Sequence, residues 1–94
     1  MRGALWSSDM EITRRIREFV TSNFYVADPS ELLDDTSLLD QAIIDSTGVL
    51  EVIAFLEEEY SISIADEEVI PENLETIARI AAFVTRKTMP TASP

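Results

Sequence analysis

Ser46 stands in the run Asp45-Ser46-Thr47-Gly48, at the mouth of a segment that is otherwise among the most apolar of the chain, Ile43 to Tyr60. A serine at such a point has two chemical uses. It can cap a helix by accepting a hydrogen bond from a first-turn N–H, or its hydroxyl can serve as a point of attachment. A hydrolytic nucleophile is excluded. The Gly-x-Ser-x-Gly elbow needs glycine where Ile44 stands, and the chain has no histidine to act as base. Helix N-termini stabilise phosphate through free N–H groups and the dipole, so a phosphodiester on Ser46 would be well placed. Taken alone, the four residues leave cap and attachment both open.

The remaining inventory narrows the chemistry further. With no cysteine and no histidine in 94 residues, disulfides, thiolate nucleophiles, His-ligated zinc and Ser–His–Asp machinery are all absent. Paired carboxylates such as Asp34 and Asp35 could suggest a small enzyme working by acid–base chemistry, but these two fall in a turn with no visible pocket. Net charge is −11, and no lysine or arginine occurs between Arg17 and Arg79, an interval holding 16 of the 18 acidic residues. Such a surface repels nucleic acid and anionic membranes and attracts a basic protein. The N-terminal apolar stretch is too short for a signal peptide, and no run is long enough to span a bilayer. A cytoplasmic, monomeric protein of one small domain is expected, with an ordered core over about 9–87 and flexible tails at 1–8 and 88–94.

The helix that begins at Ser46 carries two apolar faces. At about 100° per residue, Val49, Val52, Ile53, Leu56 and Tyr60 share one side, the expected core face. Leu50 and Ala54 lie off it, beside Thr47, flanked by Glu51, Glu57 and Glu58. An apolar strip with an acidic rim is the pattern of a docking surface; two unremarkable surface residues would look the same. Gly48 weakens a helix interior, and its missing side chain would let another molecule approach the backbone near Ser46. A tolerated, neutral glycine would look the same.

Around this helix the sequence predicts an all-α bundle. Ser8 and Glu11 fit a capping box, and Ile12, Ile16, Phe19 and Val20 form a stripe on a first helix. Trp6 is expected to dock on the surface. A long loop follows, ordered by the pairs Leu32–Leu33, Leu38–Leu39 and Ile43–Ile44, which plug the core. After Tyr60, the alternation in "SISI" lacks a partner strand, so Asp66 is expected to cap a single short turn ending before Pro71. Asn73 is expected to cap a last helix with Leu74, Ile77, Ala81 and Val84 as its stripe and Ile80 beside it.

"LLDQAIIDSTGVLEVIAFLEEEY" resembles the modification motif of the acyl and peptidyl carrier proteins: Asp45-Ser46, an apolar helix, then Glu57-Glu58-Glu59 and the aromatic Tyr60. The resemblance covers about residues 10 to 87 and includes the helix order. It implies a four-helix bundle of acyl-carrier type, with a long ordered loop after the first helix and a short third helix. It implies no catalysis by the chain itself. A phosphopantetheinyl transferase would move 4′-phosphopantetheine from coenzyme A onto Ser46, with Asp45 aiding recognition. The arm's thiol would hold an acyl or aminoacyl thioester, loaded by a ligase and passed to a transferase or synthase. Leu50, Glu51, Ala54 and Glu58 would belong to the face that basic partners read. Fatty-acid members usually carry leucine and then an acidic residue after the serine; here stand Thr47 and Gly48. Asp-Ser-Thr-Gly is closer to stand-alone carriers, including those of aminoacyl groups, and favours a small exposed cargo. The competing reading is an unmodified acidic helical adaptor, or a nucleic-acid mimic, on a basic protein.

Overall fold

A computed structural model describes residues 9 to 88, with the side chain of Asp9 excepted. The Ser8 half of the capping box, Trp6 and nearly all of both expected tails lie outside those residues. The first helix, α1 (Asp9–Asn23), turns Ile12, Ile16 and Val20 inward, as their spacing dictates, with Phe19 half-buried beside them. The second, α2 (Ser46–Tyr60), buries Val52 and Leu56 fully and Val49, Ile53 and Tyr60 in part. The one-turn α3 (Pro71–Leu74) and α4 (Ile77–Thr88) complete the bundle. Ile77, Ile80, Ala81, Phe83 and Val84 of α4 are all buried, and α4 packs most extensively against α1. Each large aliphatic side chain enclosed this way contributes about 1.5–3 kcal/mol. No strand occurs among the described residues, and none of their helices is long and apolar enough to cross a membrane.

The long loop is ordered, but its apolar pairs divide. Leu32, Leu38 and Ile44 are buried, whereas Leu33 and Leu39 are exposed and Ile43 is half-buried. Consecutive side chains of a bent chain leave in different directions, so one member of each pair reaches the core. Backbone bonds fix the path. Leu38 N–H donates to Glu75 O and Ala78 N–H to Asp34 O, each at 2.8 Å. Arg17 of α1 donates to Leu32 O and to the Asp34 carboxylate. Asp28 caps a 3-10 turn at Pro29–Glu31, accepting from Ser30 N at 3.1 Å. The loop is thereby tied to the break between α3 and α4.

Two expected caps are elsewhere. Asn73 lies within α3, where its Nδ2 donates to Glu68 O and its Oδ1 accepts from Arg86, each at 2.9 Å. Thr76 takes over the start of α4: its Oγ1 accepts from Arg79 N at 3.0 Å. Asp66 opens a 3-10 turn, Asp66–Glu68, without capping it. Glu68 reaches back to Ala65 N–H at 2.9 Å, and that bond, then the Lys87 ammonium, holds its carboxyl below the ordinary value.

Along the seam of α1 and α2 runs a chain of rings. Phe19 stacks on Phe55 at 4.2 Å between centroids, Phe24 meets Phe19 edge-on at 5.9 Å, and Tyr60 meets Phe55 edge-on at 6.4 Å. Arg15 of α1 pairs with Glu59 and closes the far end of that seam. Burial, and then the Glu59 charge, push the Tyr60 phenol up. Through these rings α2 meets α1.

Candidate functional site at the mouth of the second helix

Ser46 is the first residue of α2 and is exposed. The capping task falls to its neighbour. Asp45 is the N-cap, in extended conformation, and its Oδ1 accepts from Gly48 N–H at 2.8 Å. The two uses open to a serine at a helix start are thus separated: Asp45 caps, and the Ser46 hydroxyl has no protein hydrogen bond among the described residues. The N–H groups of Ser46 and Thr47 lie in the first turn, where a helix offers no internal acceptor. They remain free to face an anion, and the dipole favours one there.

Gly48 does not serve as an open approach. It is buried, and a Cβ built on it would meet Phe24 Cε1 at 2.8 Å and Ile44 Cγ2 at 3.1 Å. The glycine faces inward, under the Phe24 ring, because its position on the helix is next to the core face. Access to Ser46 is from the other side.

That other side carries the expected strip. Thr47, Leu50, Glu51, Ala54 and Glu58 are all exposed, Leu50 to 65%. Glu57 sits at its edge and is half-buried; its Oε2 accepts from Ile64 N–H at 2.9 Å and holds the chain leaving α2. The cations of the described residues are occupied elsewhere. Arg14 pairs with Glu11 and Glu18, Arg15 with Glu59, Arg17 with Asp34, and Lys87 with Glu68. Arg86 turns to Asn73, and Arg79 donates to Glu72 O at 3.3 Å. Glu51 and Glu58 have no cationic neighbour among the described residues.

The paired carboxylates Asp34 and Asp35 do not converge. They line separate clefts, and Asp34 is engaged by Arg17. No group of three or more metal-ligating side chains occurs among the described residues. The Phe24 cover on Gly48 and the Phe55 stack were not visible in the sequence pattern. The only signal for the first is a glycine where a helix former would be more stable.

An exposed hydroxyl beside a capped, anion-receptive helix start suits a phosphodiester, and the family comparison points the same way. Residues 10–84 match the family described as the phosphopantetheine attachment site. The acyl carrier protein of Caulobacter vibrioides is 31% identical over 78 residues, covering 83% of this chain and 96% of that protein. That of Thermosynechococcus vestitus is 31% identical over 77 residues, covering 82% and 91%. That of Bdellovibrio bacteriovorus is 27% identical over 78 residues, covering 83% and 96%. Among solved structures, apo KstB-PCP superposes with a TM-score of 0.72 at 38% identity, covering 90% of this chain and 94% of that one. The match spans nearly all of the described helices. It therefore belongs to the acyl and peptidyl carrier protein family, whose members hold acyl groups as thioesters on 4′-phosphopantetheine.

Proposed function

We propose that Ser46 is the residue that carries 4′-phosphopantetheine, with Asp45 assisting the transferase that installs it. The observation that carries this is the division of labour at the helix mouth. Asp45 satisfies the Gly48 N–H, which leaves the exposed Ser46 hydroxyl unclaimed beside free first-turn N–H groups. Once attached, the arm supplies the thiol that a cysteine-free chain lacks. Thr47, Leu50, Glu51, Ala54 and Glu58 form the face that meets the transferase, a loading ligase and a downstream transferase or synthase, with Glu57 anchoring its margin. These partners are basic at the contact, because the rim carboxylates Glu51 and Glu58 find no cation among the described residues. The cargo is small, an aminoacyl or short acyl group. Val52 and Leu56 lie in the core, with Val69 packed against it, so a long chain beside α2 would have to part them.

The test is intact mass after incubation with coenzyme A and a broad-specificity phosphopantetheinyl transferase. One phosphopantetheine should be gained by the parent and none by Ser46→Ala. An unchanged parent, with a control carrier modified in the same reaction, overturns the proposal.

A further inference from the structure

The tightest feature near Ser46 is the contact under which Gly48 is held. A Cβ at position 48 would lie 2.8 Å from Phe24 Cε1, 3.1 Å from Ile44 Cγ2 and 3.4 Å from Asp45 Oδ1. The first distance is a clash, the second is tight, and the third is ordinary contact. All three neighbours bear on the helix mouth. Ile44 is fixed by burial, directly before the cap. Asp45 holds Gly48 N–H. Phe24 is placed by its backbone, through Phe24 N–H to Val20 O at 3.0 Å, and by its edge-on contact with Phe19.

We propose that Gly48 and Phe24 are a positioning pair for Ser46: the ring clamps the side-chain-free turn and thereby sets the direction in which the Asp45 cap presents the serine hydroxyl. The inference rests on the reading of Ser46 as the attachment residue. In that reaction the Ser46 Oγ forms a bond to the pantetheine-side phosphorus of coenzyme A. The P–O bond of the pyrophosphate breaks, adenosine 3′,5′-bisphosphate leaves with the electron pair, and the serine proton passes to a base of the transferase or to solvent. The reacting oxygen must therefore lie in line with the breaking bond. Any side chain at 48 must displace the Phe24 ring or push on Ile44 and Asp45. The ring is held by Phe19, so part of the displacement passes to the cap and to Ser46.

The experiment measures kcat/KM for modification of the parent, Gly48→Ala, Phe24→Ala and the double variant, using coenzyme A and a broad-specificity transferase. Helicity and melting are followed in parallel. Gly48→Ala should lose between about ten- and a hundred-fold in efficiency while still folded, the cost expected of a misplaced reacting group. Phe24→Ala, which loosens the clamp, should lose efficiency as well, and without the ring a side chain at 48 should add little: the double variant should come within about threefold of Phe24→Ala, a non-additivity that contact residues show. A purely structural role would lower melting temperatures and leave the rates alone. Folded Gly48→Ala modified at the parent's rate overturns the inference without touching the attachment site, as do a folded Phe24→Ala modified at the parent's rate and a folded double variant that loses more than about threefold beyond Phe24→Ala. If Gly48→Ala fails to fold, the double variant against Phe24→Ala decides by the same threefold criterion. A parent that gains no mass overturns the attachment reading and this inference with it.

Discussion

Asp45 carries two separable duties, and replacing it in two ways measures each. Its Oδ1 accepts from Gly48 N–H at 2.8 Å, a capping bond at the start of a fifteen-residue helix. Asp45→Ala removes the cap, a loss of about 1 kcal/mol, and with it the anionic interaction with the helix N-terminus, worth about 0.3–1 kcal/mol. The total is about 1.5 kcal/mol. For a domain of this size each kcal/mol shifts the melting midpoint by about 4–8 °C, so Asp45→Ala should melt about 6–12 °C below the parent. Asp45→Asn keeps an oxygen that caps as well as aspartate does and loses only the charge, about 0.5 kcal/mol of that total, which predicts a drop of about 2–4 °C.

Thermal unfolding followed by circular dichroism at pH 7 gives both numbers. Modification by the transferase separates the second duty, because Asp45→Asn leaves the helix mouth in place. If the carboxylate charge is read by the transferase, Asp45→Asn should lose about tenfold in kcat/KM, the equivalent of about 1.4 kcal/mol of transition-state stabilisation. Asp45→Ala melting within about 2 °C of the parent refutes the cap energetics, since a lost N-cap should move the midpoint further than that. Asp45→Asn modified as fast as the parent leaves Asp45 a cap and nothing more.

Two further outcomes are expected. Glu51→Lys and Glu58→Lys should weaken binding to the cognate enzyme and flatten its salt dependence without loss of helicity, because exposed charges are screened beyond about 10 Å at 0.1 M salt; unchanged binding by both variants puts the partner face elsewhere. Loading the arm with a glycyl thioester should leave the methyl NMR shifts of Val52, Ile53, Leu56, Val69 and Ile70 nearly unmoved, whereas large, specific shifts on octanoyl loading would reveal a chain pocket and sink the small-cargo reading.

The parts of the fold that were legible in the sequence are those governed by period. Ile12, Ile16 and Val20, and Ile77, Ile80, Ala81 and Val84, recur at helical spacing and are buried as that spacing requires. Where the chain bends, period says nothing. Leu38 and Leu39 are chemically alike, and only the Leu38 N–H bond to Glu75 O decides which of them enters the core. Thr76 and Asn73 are both competent caps, and the choice between them depends on Asn73 being taken by Glu68 and Arg86. The strip of Leu50 and Ala54 was legible because it lies off a core face defined by its own helix. The inward turn of Gly48 was not, because Phe24, the residue that covers it, comes from another helix end.

The composition of the strip bears on how partners come and go. Leu50, 65% exposed, is the one large apolar side chain at its centre, with the small Ala54 beside it. Such a patch is far below the roughly 800 Å² that each side of a stable complex usually buries. Affinity must then draw on the rim charges, which raise encounter rates more than they slow dissociation. A carrier that visits a transferase, a ligase and a synthase in turn needs that balance: fast approach, enough apolar contact to orient the arm, and release once the cargo has moved. Enlarging the apolar centre would tighten each complex and slow the hand-over between them. The cation pairing fits the same proposal, since Arg14, Arg15, Arg17 and Lys87 are bound to carboxylates away from the strip and Glu51 and Glu58 have no ion-pair partner among the described residues.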